Sequence, residues 1–598
     1  MSVLKKWILL AIVVTALSLP ACETAQKTTV SPGETVVFPD RNLEATIRNT
    51  INKPKGTIYA SELEELTILF HSLIKVTDPQ LGEVIVNQIT DLGGLEYCPN
   101  LTWLYLGGNQ ISDISPLTSL TKLKCLFLPG NRISNIEPLA SLTDLTVLDL
   151  TKNQISDVSP LASLTKLTKL KLEQNPITDL SPLRSLVNLT ELSLSGGEIS
   201  DISPLASLTN LNWLSLKQSQ ISDVSPLASL TNLKWLFLHE NEITDVSPLA
   251  SLTNLTGLYL HHNPIGDLSP LNQLTNLYSL QLLADQKLEP AIRTAIRKPQ
   301  GPIYGSELGN VTSLFATGRG ITDLAGLEYC ANLTVLDLSG NQISDVSTIS
   351  SLSNLTELYL EGNKISDISP LTSLTQLTVL GLSANPVVDF SPLTSLTNLR
   401  KLYLGTEPYP GISQTANISS VASLLASLPN LAELSLVGNR IADLSPLVSE
   451  LMALPSLVAL NLGGNQISDV SPLTSLPNLT MLDLRENGIT DISALASLTS
   501  LTSLSLKGNQ ISDIAPLSSL TRLTHLDLSK TQTSNISALS AFTSLTELDI
   551  SMNKISDLSP LMSLPNLTKL NISGNPLSAE SRDVYLPQLR EKKVQIIL

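Results

Sequence analysis

Three of the chain's five histidines lie close together in the sequence: His239, His261 and His262. Neutral imidazole nitrogens are common ligands of zinc and other transition metals. A metal site also needs a third ligand and polar groups that orient the rings, and no Cys/His group in the sequence has zinc spacing. The sequence therefore predicts no metal site and no cofactor, although this group is the one place where a metal could bind.

A row of aspartates recurs at multiples of 22 residues, with Asn135 and Asn535 in its place in two copies. Its first members are Asp113, Asp157, Asp179, Asp201, Asp223 and Asp245. Carboxylates bind calcium, but calcium needs a dense cluster of six to eight oxygen atoms. One carboxylate per copy does not supply that cluster, so we expect each aspartate to cap its own turn locally.

Catalytic motifs are missing from the sequence. The histidines stand in no nucleophile arrangement, the serines and threonines fall at recurring positions, and neither a glycine-rich phosphate loop nor an H-E-x-x-H motif occurs. The sequence predicts a protein that is not an enzyme.

Aromatic residues alternate with leucines in short segments of the first half of the chain, and every tryptophan beyond Trp7 is among them. Burial does not explain this placement, because leucines already fill the core positions. The predicted partner-binding residues are Trp103, Tyr105, Phe127, Trp213, Trp235, Phe237, His239, Tyr259 and His261. Exposed aromatic clusters are typical of recognition surfaces. The alternative is that the rings cover one another and stiffen the strands.

A repeat of 22 residues must position these side chains, with the frame L-x-x-L-x-L-x-x-N-x-I-x-D-[IV]-S-P-L. The L-x-L alternation predicts a short strand with leucines inward and the intervening side chains outward. Strands about 4.8 Å apart would stack equivalent residues in columns. The expected columns are Trp213 with Trp235, Phe237 with Tyr259, and His239 with His261. One unit cannot bury its own leucines, so stacked units must form a solenoid.

Asparagine is the most regular polar residue of the repeat. It stands at Asn87, Asn109, Asn131, Asn153, Asn175, Asn241, Asn263, Asn341, Asn363, Asn385, Asn417, Asn439, Asn465, Asn487, Asn509, Asn553 and Asn575, while Gly197, Ser219 and Thr531 replace it in three copies. We expect Ser115 to cap a short 3₁₀ turn with Pro116 at its first helical position.

This frame resembles the leucine-rich repeat of the 22-residue, internalin-like class over roughly residues 87 to 575. The resemblance implies an α/β solenoid: a horseshoe with short parallel strands on the concave face, 3₁₀ turns on the convex face and helical caps. It also implies that the asparagine side chain satisfies backbone groups of neighbouring turns.

A larger duplication contains the repeats, because residues 42–63 match residues 287–308. Leu43, Ile47 and Ile51 form a helical stripe that can cover the open end of a stack. We expect a lipoprotein-type signal segment at 1–22, a tether at 23–36, a helical leader cap at 37–86, a first array at 87–284, a second leader-like module at 285–318, a second array at 319–577 and a C-terminal cap at 578–598. The C-terminal cap should contain a helix and a final strand.

The N-terminal segment has the pattern of an export signal: Lys5 and Lys6 precede an apolar run that is too short for a confident membrane span. Its end, Leu19-Pro20-Ala21-Cys22, resembles a bacterial lipobox, in which Cys22 is lipidated. The alternative is a simple secretory signal cut near Ala21. The lipobox implies an exported lipoprotein of the cell envelope, at the outer membrane or cell surface.

The net charge of −16 and the absence of a basic tract argue against nucleic acid as a partner. Cys98, Cys125 and Cys330 imply no disulfide framework, and Cys98 and Cys330 should be buried. Acidic residues outnumber basic ones on the strand face of the second array. We therefore expect an envelope-anchored binding module for a protein or glycan partner; the alternatives are a structural spacer and, against the signal, an internal regulatory scaffold.

Overall fold

The computed structural model describes residues 33–71, 73, 75–78, 82–85, 87–405 and 418–598. It contains two compact units, residues 1–212 and residues 213–598. The predicted boundary near Ala284 lies within the second unit. Cys22, Asn417 and the loop from Thr406 to Gly411 lie outside the described residues, as does most of the predicted tether.

The first unit begins with a mixed module and continues as parallel strands. The module comprises β1 (Thr35–Val36), α1 (Arg41–Thr50), β2 (Ile58–Tyr59), α2 (Ala60–Leu63), β3 (Ile68–Phe70), β4 (Lys75–Asp78) and β5 (Gly82–Ile85). The repeat strands are β6 (Trp103–Tyr105), β7 (Cys125–Phe127), β8 (Val147–Asp149), β9 (Lys169–Lys171) and β10 (Glu191–Ser193). Strand β3 pairs with β6 in parallel, and β6 to β10 follow in order.

Short 3₁₀ helices return the chain between these strands, as predicted. Those of the first unit are Leu95–Tyr97, Ser115–Ser119, Glu137–Ser141, Ser159–Ser163, Ser181–Ser185 and Ser203–Ser207. Ser115 is the first residue of its helix and does not cap it, so that prediction was wrong. The carboxylate of Asp113 has the local role instead, because its Oδ1 accepts the Ser115 N–H at 2.8 Å.

The second unit starts with four repeat strands, β11 (Trp213–Ser215), β12 (Trp235–Phe237), β13 (Gly257–Tyr259) and β14 (Ser279–Gln281), which pair in parallel in that order. Their 3₁₀ helices are Ser225–Ser229, Ser247–Ser251 and Ser269–Gln273. Helices α3 (Glu289–Ile296) and α4 (Gly305–Leu308) follow, before a second run of strands.

That second run is a parallel sheet of 13 strands in sequence order, β15 to β27. The strands are β15 (Ser313–Phe315), β16 (Val335–Asp337), β17 (Glu357–Tyr359), β18 (Val379–Gly381), β19 (Lys401–Tyr403), β20 (Glu433–Ser435), β21 (Ala459–Asn461), β22 (Met481–Asp483), β23 (Ser503–Ser505), β24 (His525–Asp527), β25 (Glu547–Asp549), β26 (Lys569–Asn571) and β27 (Gln595–Ile597). Their 3₁₀ helices are Leu327–Tyr329, Ser347–Ser351, Ser369–Ser373, Ser391–Ser395, Ser471–Ser475, Ser493–Ser497, Ala515–Ser519, Ser537–Ala541 and Ser559–Ser563.

Two longer repeats carry α-helices where the others carry 3₁₀ turns: α5 (Ile418–Leu425) and α6 (Ser445–Met452). The additional residues of these repeats lengthen the return leg, so that full helical turns can form. A π-helical segment (Ser581–Tyr585), α7 (Leu586–Glu591) and β27 close the sheet, which confirms the predicted final helix and strand.

The two leader modules share their polar contacts as well as their sequence. Oδ2 of Asp40 accepts a hydrogen bond from the Thr90 N–H at 2.7 Å, and Oδ2 of Asp285 accepts one from the Thr322 N–H at 2.8 Å. The ion pairs Lys53–Glu62 and Lys298–Glu307 also correspond. The modules are not purely helical, however, and Thr35–Val36, assigned to the tether, pair with β2 as a strand.

Leucines fill the core of each unit, as the central Leu104, Leu236 and Leu258 of their strands are fully buried. The three cysteines beyond Cys22 are free and buried, as Cys98 and Cys330 were predicted to be. Burial raises the pKa of the Cys98 and Cys330 thiols to about 12. These cysteines are therefore structural apolar side chains and not reactive groups.

The buried asparagines tie each repeat to the one before it, which confirms the predicted role. At Asn509, Oδ1 accepts the Ile489 N–H at 3.1 Å, while Nδ2 donates to the carbonyl oxygens of Leu484 and Leu506 at 2.9 and 2.8 Å. The same three contacts recur at Asn131 and at most of the other repeat asparagines, which we call the asparagine ladder. Each asparagine satisfies backbone groups that water cannot reach.

Replacement of one ladder asparagine should loosen its repeat. Asn509→Ala leaves buried backbone groups of Ile489, Leu484 and Leu506 unpaired, and each such group costs about 1–3 kcal/mol. We expect faster hydrogen exchange at the Ile489 amide and a lower midpoint of urea unfolding. Asn254→Ala is the control, because the exposed Asn254 makes only one contact, to the Thr231 carbonyl. Unchanged exchange at Ile489 would contradict the role of the ladder.

Candidate binding surface

The repeat strands separate core leucines from the aromatic side chains by alternation. In β12, Leu236 is fully buried, while Trp235 and Phe237 on either side of it are partly exposed. The same alternation places Trp213 and Tyr259 on the exposed face of β11 and β13. These side chains can meet a partner without disturbing the leucine core.

The register of β11, β12 and β13 confirms the predicted columns. Trp213 is paired with Trp235, and Phe237 is paired with Tyr259. The rings of His239 and His261 stack with their centroids 4.5 Å apart. Consecutive repeats therefore bring residues 22 positions apart into side-by-side contact.

Five aromatic rings of this region form one connected group, which we call the aromatic platform: Trp213, Trp235, Phe237, Tyr259 and Tyr278. Phe237 stacks on Tyr259 with ring centroids 4.5 Å apart, and Trp213 lies 5.2 Å from Phe237. The ring centroid of Trp235 lies 6.4 Å from that of Phe237 and 6.5 Å from that of Tyr259. Such ring pairs stabilise each other by about 0.5–1.5 kcal/mol each, so the platform is ordered before any partner arrives.

Trp235 is held over Gly257, its column neighbour on β13. A Cβ atom at Gly257 would clash with the indole ring, so the missing side chain makes room for it. The indole is therefore fixed against the strand by backbone on one side and by aromatic rings on the other.

Tyr278 is a member of the platform that the sequence pattern missed. It precedes β14 and so falls outside the alternation of leucines and outward side chains. Its ring meets Trp235 edge-on with centroids 5.5 Å apart, and 60% of its surface is exposed. The equivalent residue one repeat earlier is Thr256, so the period predicts no aromatic neighbour for Tyr278. Only the folded structure shows its contact with Trp235.

The first unit has a separate and smaller aromatic group of Trp103, Tyr105, Phe127 and Phe70. The ring centroid of Tyr105 lies 5.9 Å from that of Phe127, and Tyr105 stacks on Phe70 with centroids 4.9 Å apart. Phe70 was not predicted, although the alternation of Ile68, Leu69 and Phe70 carries the strand signal. The leader contributes Phe70 because β3 pairs with β6.

The rings of the three predicted histidines are in contact, because His262 meets His261 edge-on with centroids 5.6 Å apart. His262 directs its Nε2 to Oδ2 of Asp323, however, at 2.9 Å. His239 and His261 stay stacked beside the platform, and Glu240 joins them. Burial lowers the pKa of His239 to about 4 and also lowers that of His261, so both rings are neutral at neutral pH.

The acidic residues on the strand face of β15 to β26 are largely occupied by partners within the chain. Glu433 pairs with Lys401 at 3.0 Å, and Glu547 pairs with Lys569 at 3.2 Å. Oδ1 of Asp527 accepts the Ser529 N–H at 2.9 Å. Such carboxylates stabilise strand ends and are less available to a ligand than an unpaired acidic patch would be.

The row of aspartates after each ladder asparagine caps the turns, as expected. Oδ1 of Asp157 accepts the Ser159 N–H at 2.8 Å, and the same contact recurs at Asp179 and Asp223. The hydrogen bonds from Ser159 lower the pKa of Asp157. The turns explain this row without calcium.

Two family models match the sequence. A model described as "Leucine-rich repeat region" matches residues 325–580. A model of two leucine-rich repeat copies matches residues 99–132, 121–163 and 165–207. Together they match more than half of the chain, while no curated protein matches it.

Three solved structures are similar to this chain. An internalin (InlF) from Listeria monocytogenes is 26% identical, with 82% of this chain and 96% of that chain covered and a TM-score of 0.30. Internalin C2 of the same organism is 34% identical, with 42% and 97% covered and a TM-score of 0.32. A leucine-rich repeat protein of Leptospira interrogans is 21% identical, with 78% and 99% covered and a TM-score of 0.27.

Proposed function

Because the chain belongs to the leucine-rich repeat proteins, whose fold commonly serves as a protein-binding module, we propose that it recognises a protein partner through the aromatic platform. The observation that carries the proposal is the cluster itself. Aromatic rings collect on one exposed face of β11 to β13, although the leucine core beneath them is complete. Rigid aromatic anchors dominate many protein interfaces because they bury much surface at little entropic cost.

The proposed role is binding without catalysis. Leucine-rich repeat proteins are typically binding scaffolds. Among the described residues, the titratable groups with large pKa shifts are buried thiols, tyrosines and His239 and not a nucleophile with its base. A protein ligand is proposed in preference to a glycan because leucine-rich repeats commonly bind proteins.

The place proposed for this binding is the cell envelope. Leu19 to Cys22 resemble a lipobox, which would tether the protein through a lipid on Cys22. No helix in the described ranges is long and apolar enough to span a bilayer. A lipid anchor would leave both arrays of repeats free to meet partners in the aqueous phase.

Loss of the central indole should weaken binding strongly and stability only slightly. Trp235→Ala removes a hot-spot ring, which commonly costs about 2 kcal/mol or more, or about 30-fold in affinity. Leu236 remains buried, so unfolding should lose only the ring contacts, about 1–2 kcal/mol. A pull-down from envelope extract with residues 33–598, which retain β1, followed by calorimetry with the captured protein, measures both effects.

Two control variants separate platform binding from other causes. Tyr359→Ala removes an aromatic ring from β17, and Asp527→Asn removes a charge from β24; neither should change the affinity. A structural spacer would show no ligand that depends on Trp235. Equal affinity of wild type and folded Trp235→Ala would place the binding site elsewhere, with the Thr406 to Gly411 loop next to be tested.

A further inference from the structure

Beside the aromatic platform, three metal-ligating side chains converge. His239, Glu240 and His261 each offer one ligand atom, and these atoms lie within 4.8 Å of one another. Glu240 was absent from the sequence-based candidates, which considered His262 as the third histidine. Two imidazoles and one carboxylate form a donor set suited to divalent transition metals.

The two imidazoles also have unsatisfied nitrogens. Among the described residues, the buried side-chain nitrogen and oxygen atoms without a hydrogen-bond partner are Nδ1 of His239 and Nδ1 of His261. Buried polar atoms are almost always paired, so two exceptions in one contact call for an explanation. The other histidines do have partners: His71 contacts Thr46, His262 contacts Asp323 and His525 contacts Thr524.

Both rings are in the protonation state that a metal needs. Burial keeps His239 and His261 neutral at neutral pH, so no proton has to be displaced from their lone pairs. Lys217 and His262 contribute to these low pKa values by charge repulsion, while Glu240 and Asp323 oppose them.

The backbone holds Glu240 beside the two rings. Glu240 has a left-handed conformation, with φ 58°, and its N–H donates to the His261 carbonyl oxygen at 3.0 Å. Its carboxylate is exposed and accepts a hydrogen bond from Nε2 of Gln218 at 2.9 Å. The carboxylate therefore lies beside the two rings on the exposed surface, held by Gln218.

We propose that His239, Glu240 and His261 bind a divalent transition-metal ion of the zinc type, with water in the remaining coordination positions. Zinc bonds of about 2.0–2.1 Å place tetrahedral ligand atoms about 3.3 Å apart. Binding therefore requires the stacked His239 and His261 rings to turn apart and the Glu240 carboxylate to rotate toward them. The ion would join two consecutive repeats next to Phe237 and Tyr259, and its binding requires no partner.

Metal titration of the full chain, without a polyhistidine tag and after treatment with a chelator, tests the site. We expect one equivalent of Zn²⁺ to bind by calorimetry and Co²⁺ to give a visible d–d absorption band that Zn²⁺ abolishes. Ca²⁺ should not compete, because it prefers clusters of oxygen ligands. His239→Gln and His261→Gln should each weaken binding about 100-fold, and Glu240→Gln about tenfold.

His525→Gln is the matched control, since His525 also lies on a strand face with a carboxylate nearby, Nε2 being 3.9 Å from Oε1 of Glu547. It should bind metal as the wild type does. Lys217→Gln should tighten binding, because it removes a positive charge beside the site. Melting curves of every variant, recorded without metal, test whether each variant is folded. Absence of Zn²⁺ binding at millimolar concentration, or equal binding by wild type and His261→Gln, overturns the proposal.

Discussion

Cleavage after Ala284 is expected to yield a folded C-terminal fragment and an N-terminal fragment that aggregates. Leu268, Leu282 and Leu283 at the end of the first array are buried in the intact chain, at 7%, 2% and 6% exposure. Residues of the second leader-like module and of the first turn after it cover them, such as Gly305 against Leu268 and Gly326 against Leu282. The Ala284 N–H donates to the Ala325 carbonyl oxygen at 3.0 Å, and a Cβ at Gly326 would run into the Leu282 carbonyl.

The two fragments differ in which ends of their stacks are covered. Residues 285–598 retain α3, which packs against β15, and close with α7 and β27. Residues 33–284 lose the cover over three leucines, each of which stabilises the fold by about 2 kcal/mol when buried. Circular dichroism and size-exclusion chromatography of the separate fragments measure the outcome. An unfolded C-terminal fragment would show that the duplicated module does not begin an independent array.

A matched pair of glycine variants tests the same interface without a cut. Gly326 and Gly320 both have positive φ, 101° and 70°, so a side chain strains both. Only Gly326 meets the Leu282 backbone closely; the nearest atoms to a Cβ at Gly320 lie 3.8 Å away. Gly326→Ala should therefore destabilise the end of the first array far more than Gly320→Ala. Equal destabilisation would mean that the strained backbone, and not the packing, is responsible.

Replacement of the proposed lipidation site should abolish membrane association. The wild-type chain is expected to incorporate a fatty-acid analogue and to sediment with membranes, because acyl chains anchor a protein by about 0.8 kcal/mol per buried CH₂ group. Cys22→Ser removes the sulfur that carries the lipid, so the label should be lost and the protein should be soluble or unprocessed. Cys98→Ser is the control, since Cys98 is fully buried in the repeat core. An unlabelled, soluble wild-type protein would contradict lipidation.

The repeat and its internal contacts could be predicted because they are local and periodic. Leucine alternation defines which side of each strand is buried, and one asparagine per turn has the same backbone partners in successive copies. The same periodicity predicts which residues stack in columns, as at Phe237 and Tyr259. The prediction was wrong at the start of the 3₁₀ turn, where the Asp113 carboxylate and not the Ser115 side chain accepts the backbone N–H.

Contacts that cross the repeat pattern could be found only in the folded molecule. Tyr278 reaches Trp235 from outside the strand alternation, and Asp323 reaches His262 across 61 residues of sequence. No period relates these partners, because loop paths and side-chain rotamers decide whether they meet. Glu240 differs from these residues, because its left-handed backbone recurs at the equivalent positions Gln218 and His262 and so follows the period.

The sequence alone was sufficient for the solenoid, its ladder and its aromatic columns, since a 22-residue period repeats the same local physical chemistry at each turn. Tertiary packing decided which aromatic rings touch, which histidine pairs with Asp323 and what covers the last leucines of the first array. Those outcomes depend on where non-repeating residues such as Tyr278, Asp323 and Gly326 lie in space. A repeating pattern specifies its own neighbours, whereas a residue outside the pattern acquires its neighbours only when the whole chain folds.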